Sequence, residues 1–148
     1  MKATIIALVI INSTFPLLAA DYPAVERLAR DYVTAVRTNG ADALRRLFIP
    51  SAAFTASNKE RQYIEAEWIQ ASLSARSNLP ASPQIQVRRF EDTGLRASKP
   101  WRWPIQPTHR IRITATADGH TTETIEAAIE RNGRVYLIRP LPPEEKMD

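Results

Sequence analysis

With 148 residues, 44% hydrophobic and 24% charged, the chain has the size and composition of one soluble globular domain, which excludes a disordered chain, a collagen and a multi-span membrane protein. It has no cysteine, so disulfides, thiolate metal sites and a cysteine nucleophile are excluded. With only His109 and His120, no H-E-x-x-H helix and a mild net charge of +4, no metal site and no cofactor are expected.

The first twenty residues have the layout of a secretory signal peptide. Lys2 is a short positive region, and Ala3 to Leu18 is apolar apart from Thr4, Asn12, Ser13, Thr14 and Pro16. Leu18-Ala19-Ala20 then offers a cleavage point before Asp21, Leu18 being larger than usual three positions before a cut. The alternative is an uncleaved N-terminal membrane anchor, for which the stretch is short against the ~20 residues of a spanning helix. The expected organisation is therefore residues 1–20 as signal, 21–141 as one domain and 142–148 as a charged tail. The expected location is secreted or periplasmic.

Asp21-Tyr22-Pro23 starts a helix, whose apolar face is Val25, Leu28, Ala29, Tyr32, Val33 and Val36. Asn39-Gly40 ends it, with Gly40 suited to the left-handed C′ position. Asp42 caps a short helix through Leu44, Leu47 and Phe48, closed by Pro50. Ala52 to Ala56 reads as a short strand. Ser57 and Glu60 form a capping-box pattern opening a third helix, roughly Lys59 to Arg76, with Trp68 on its apolar stripe.

From Gln84 the period becomes two. Ile85 and Val87 belong to one strand, and Gly94 to Ser98 is a weaker one. Lys99 to Pro107 is a loop with three prolines. His109–Ala117, Thr121–Arg131 and Arg134–Arg139 follow as strands. Asn132-Gly133 is a two-residue hairpin turn that sets Ile129 against Tyr136 and Ala127 against Ile138. At the preceding turn, a three-residue loop, Ala117-Asp118-Gly119, keeps all the isoleucines on one face and sets Ile111 against Ile125. In that register Arg110, Glu126 and Arg139 form a charge row on the opposite face, marking it as wet or as a polar contact surface.

This order of elements, with Leu44-Arg45-Arg46-Leu47-Phe48 and Ala52-Ala53-Phe54 in their places, resembles the nuclear-transport-factor-2-like superfamily, which includes polyketide-cyclase-like and ketosteroid-isomerase-like enzymes. The resemblance implies an α+β fold in which N-terminal helices pack on a curved antiparallel sheet, a cone-shaped barrel with a cavity at its open end. A cystatin-like helix-on-sheet sandwich is the alternative. Such folds host isomerases, dehydratases, binders and purely structural domains, so fold does not settle function.

Chemistry-bearing candidates are few. His109 shares the parity of Ile111 and Ile113 and has the chemistry of a general base, although a histidine there is more simply a core residue. Glu123 falls on the same face in this register, roughly 13 Å from His109 at ~3.3 Å per residue. Tyr32, with Tyr63 and Tyr136, offers a donor to an oxyanion, although aromatic residues on such faces are more simply core. No G-x-S-x-G elbow, P-loop or dinucleotide glycine pattern is present.

The unusual stretch is Lys99-Pro100-Trp101-Arg102-Trp103-Pro104. Alternating tryptophans in an extended segment point opposite ways. One is expected to anchor inward, while the other, with Lys99 and Arg102, meets a partner. Between Gln84 and Thr116 there are seven basic and two acidic side chains. In an exported protein this points to a protein partner or an anionic surface rather than nucleic acid. The expected function is a non-catalytic module binding a small apolar ligand or a partner, with a homodimer through the outer sheet face as its oligomer. An isomerase or dehydratase with a site inside the cone is the alternative.

Overall fold

A computed structural model describes residues 22–148, apart from residues 55, 76–78, 80, 81 and 95 and the side chain at 117. The expected signal segment, residues 1–20, lies outside the described residues. Among those described, no helix is long and apolar enough to cross a membrane.

Helix α1 (Pro23–Arg37) buries the stripe expected of it, Val25, Leu28, Ala29, Tyr32, Val33 and Val36, together with Ala35. Asn39, not Gly40, takes the left-handed conformation at its end, with φ 57°. Gly40 instead precedes α2 (Ala41–Leu47), so the cap expected at Asp42 is not formed. The strand expected at Ala52 to Ala56 is a 3₁₀ turn, Ser51–Phe54. The chain meets the sheet one step earlier, where Phe48 bridges Leu137 in parallel and the Ile49 N–H donates to the Leu137 carbonyl at 2.9 Å.

Helix α3 (Asn58–Tyr63) opens with the expected capping box. The Ser57 N–H donates to Glu60 Oε2 at 2.8 Å, and the Glu60 N–H donates to Ser57 Oγ at 3.2 Å. The helix then widens into a π-helical segment, Ile64–Gln70, before α4 (Ala71–Ser74).

Strands β1 (Gln84–Arg89), β2 (His109–Ala117), β3 (His120–Arg131) and β4 (Arg134–Ile138) form an antiparallel sheet in sequential order among the described residues. The architecture is α+β, with helices packed on one antiparallel sheet that does not close into a barrel. Helix α1 packs against β1, β2 and β4. The inner face is identified by Tyr22 against His109, and by the hydrogen bond from Arg139 to Tyr32. Ile111, Ile113 and Leu137 on this face are fully buried, each worth about 1.5–3 kcal/mol on removal from water.

The β3–β4 register is the expected one: Arg131 opposite Arg134, Ile129 opposite Tyr136, Ala127 opposite Ile138. The β2–β3 register is not. The turn has two residues, Asp118 (φ 51°) and Gly119 (φ 77°), so Ala117 pairs with His120, Ile111 with Glu126 and Arg110 with Ala127. The one-residue shift exchanges the faces of β3. Glu126 turns inward, and Ile125 turns outward to stand 43% exposed. The expected Arg110–Glu126–Arg139 row therefore does not exist.

Both faces of β3 are covered from Glu126 to Ile129, all four residues being buried. The outer cover is the segment between β1 and β2. It leaves β1 through a 3₁₀ turn, Phe90–Thr93, and a left-handed Gly94 rather than the strand expected at Gly94 to Ser98. It then runs back along the C-terminal segment, where Arg102 and Leu141 exchange main-chain hydrogen bonds of 2.9 and 2.7 Å. Leu141 retains a donor for this exchange, although Pro140 and Pro142 flank it. Leu141 and Pro142 are buried, and Met147 packs against the core. The C-terminal segment is thus held to the domain at Pro142 and Met147, while its charged residues Glu144, Glu145, Lys146 and Asp148 are exposed.

Candidate functional site

Two polar constellations flank the sheet. The inner one is centred on Glu126. Arg139, the next residue along β4 from the Ala127–Ile138 pair, grips its carboxylate with both arms: Nε donates to Oε2 at 3.0 Å and Nη2 to Oε1. Arg139 also donates to the carbonyls of Glu67 and Trp68 at 3.2 and 3.3 Å and to Tyr32 Oη at 3.3 Å. Its guanidinium lies 5.1 Å from the Phe48 ring centroid. The two carbonyls belong to the π-helical segment, a departure from α-helix that frequently marks sites of special geometry.

Burial pushes the Tyr32 phenol up to about 12, with Glu126 adding to the rise and Arg139 opposing it. Burial works against the Arg139 charge, but the Glu126 carboxylate overrides it and the Arg139 pKa is raised. One arginine thus ties α1, the π-helical segment and the sheet together. The cation already engages both carboxylate oxygens, which makes Glu126 a poor base for a substrate proton.

The sequence candidates do not converge. His109 is buried on the inner face, edge-on to Tyr22 with ring centroids 4.9 Å apart, and its Nδ1 lies 2.8 Å from Thr108 Oγ1. Burial lowers its pKa from the ordinary value, Glu130 opposes that shift, and Arg89 adds to it. Glu123, expected on the His109 face, points outward because of the two-residue turn. It pairs with Arg112 at 2.9 Å. Tyr32 belongs to the Glu126 network.

In the proline-rich loop the tryptophans do alternate. Trp103 packs inward on Phe90, with centroids 5.4 Å apart, whereas Trp101 is 37% exposed, edge-on to Tyr63 at 6.5 Å. Arg102 is ion-paired with Glu60, the buried capping-box carboxylate, and its side chain remains 54% exposed. Lys99 is exposed, next to the cis Lys99-Pro100 bond.

The second constellation is a hollow of about 300 Å³ between Trp103 and the outer face of the sheet. Its apolar lining is Phe90, Trp103, Ile125, Ala127, Ile138 and Pro140; Arg96 and Arg110 also line it, as does the Glu126–Arg139 pair. On two of the lining residues, Trp103 Nε1 and Arg110 Nε are buried without a hydrogen-bond partner among the described residues. Neither Arg96 nor Arg110 has an ion-pair partner among the described residues. Sequence reasoning found Trp103 but missed the rest, because the hollow depends on which sheet face the loop covers. The one local signal was Trp103 beside a run of unmatched arginines.

No family model, no characterised protein and no solved structure matches the chain.

Proposed function

We propose that the chain is a non-catalytic binding module for a small molecule, exported through its N-terminal segment. Its helices and sheet would be a variant of the nuclear-transport-factor-2-like layout, with the ligand in the outer hollow instead of inside a cone. The observation that carries this reading is the hollow itself, mostly apolar in lining, with buried donors on its lining residues that no described group satisfies. The inner face supports it by contrast: Trp68, Ile69, Leu44 and Ile111 are packed there, and Glu126 is committed to Arg139.

The test is a titration of the uniformly ¹⁵N-labelled full chain with octanamide, a neutral apolar probe. The Trp103 indole N–H resonance, assigned with Trp103→Phe, should shift saturably while that of Trp68 stays in place. Ala127→Leu, which grows a side chain into the hollow, should abolish the shift and leave the spectrum folded. An unmoved Trp103 signal, or an undiminished shift in A127L, overturns the proposal. Export is tested by the intact mass of the secreted chain, expected to begin at Asp21; a form beginning at Met1 would favour the anchor.

A further inference from the structure

Building on that binding reading, we infer that the ligand is a monocarboxylate with an apolar body, its carboxylate held by Arg96, Arg110 and the Trp103 indole N–H. Three observations lead there. First, the charge at the hollow is unbalanced. Arg110 stands directly across the β1–β2 ladder from Arg88, a like-charge arrangement that destabilises a sheet unless something answers it. Among the described residues Arg88 reaches only the Asp92 carbonyl, at 3.4 Å. Of the carboxylates nearby, Glu91 is paired with Arg89, Glu123 with Arg112 and Glu126 with Arg139, while Asp92 meets Arg88 through its main-chain carbonyl.

Second, the unsatisfied buried groups at the hollow, Arg110 Nε and Trp103 Nε1, are both donors. Leaving a buried donor unmade costs about 1–3 kcal/mol. A ligand that supplies acceptors recovers this cost, and one that also carries negative charge answers the Arg88–Arg110 repulsion. The Trp68 indole N–H is likewise without a partner, but it lies in the packed core, 1% exposed. A planar carboxylate matches the guanidinium fork.

Third, apart from Glu126 and Arg139, which are paired with each other, the remaining lining is hydrocarbon and aromatic ring, which inorganic anions do not use. A volume of about 300 Å³ equals roughly ten waters at about 30 Å³ each. That fits a ligand of about ten non-hydrogen atoms, such as octanoate.

The experiment compares octanoate with octanamide, which keeps the shape and removes the charge, by calorimetry near neutral pH and by the Trp103 indole resonance. Octanoate should bind about tenfold more tightly than octanamide. Arg110→Gln and Arg96→Gln should each remove most of that advantage, lowering octanoate affinity more than octanamide affinity, with Arg110→Lys recovering part of it. Inorganic phosphate should fail to displace octanoate. Octanoate binding no tighter than octanamide, an advantage that survives in the R96Q/R110Q double variant, or displacement by phosphate each overturns the carboxylate assignment and leaves the binding module standing. If neither octanoate nor octanamide moves the Trp103 signal, both readings fall.

Discussion

Two arginines that both line the hollow have opposite fates. Arg139 on the inner face meets a carboxylate, two carbonyls, a phenol and an aromatic ring. Arg110 on the outer face meets another arginine across the ladder and leaves a buried nitrogen unbonded. A buried charge whose hydrogen bonds are filled holds elements in place, and removing its partner strands it. A charge with unfilled bonds beside an apolar hollow contributes little to the fold and is available to a ligand. By this contrast the inner constellation is architecture and the outer one is recognition.

The largest expected effect breaks the inner side of the contrast. Glu126→Gln leaves Arg139 charged and unpaired inside the domain, which should cost about 3–5 kcal/mol of unfolding free energy in a urea titration. Arg110→Gln should not destabilise the fold, because it removes an unmade donor and the repulsion from Arg88. Equal losses in the two variants would erase the distinction between architecture and recognition.

The tryptophans give the next test. Trp103→Ala removes a ring packed on Phe90 and should cost about 3 kcal/mol. Trp101→Ala, at an exposed position, should change stability by less than about 1 kcal/mol. Calorimetric melting of both variants decides this. Similar losses would mean that the loop is core throughout and that the hollow has no separate wall.

How much of this was legible in the sequence depends on how local the signal is. The face of α1, the Ser57–Glu60 capping box and the Asn132-Gly133 turn with its register are set by neighbours a few positions away, and the chain states them directly. The β2–β3 register departs from the expected one for a physical reason. A three-residue loop follows only if Ile125 is buried with Ile111 and one face of β3 is wet. In the structure the 90–107 segment covers the outer face of β3 near Ala127 and Ile129, so apolar residues lie on both sides and alternation no longer reports orientation. The same long-range cover creates the hollow, so an error in one entailed missing the other.

The register also yields a backbone prediction of intermediate size. Gly119 has φ 77° with open space where a Cβ would stand, so Gly119→Ala meets no clash and pays only the left-handed backbone cost, about 1–2 kcal/mol. A three-residue loop with Gly119 at its bulge would also strain on this change, so the sharper variant is Asp118→Gly. Position 118 has φ 51° in the two-residue turn, and glycine there should be neutral or stabilising in thermal melting. Clear destabilisation would argue against that turn.

The smallest expected effect concerns His109, the one candidate base, and it separates a buried structural imidazole from a reactive one. Tyr22 lies against its ring, Thr108 Oγ1 is at Nδ1, and Glu130 and Arg89 are the charges that act on it. Burial lowers its pKa from 6.5 in the folded state. Above about pH 7 the imidazole is neutral in both states and contributes no pH dependence. As pH falls through 6.5, the unfolded chain takes up a proton that the folded chain resists, so the folded state loses stability. The slope attributable to this group stays below the ceiling of about 1.4 kcal/mol per pH unit for one proton. His109→Gln removes that uptake. The variant's unfolding free energy, relative to the parent, should therefore be constant above about pH 7 and rise in the variant's favour between pH 6.5 and about 5. A difference that moves the opposite way would mean that Glu130 holds a charged imidazole in the folded protein, and His109 would then return as a group to be explained by function.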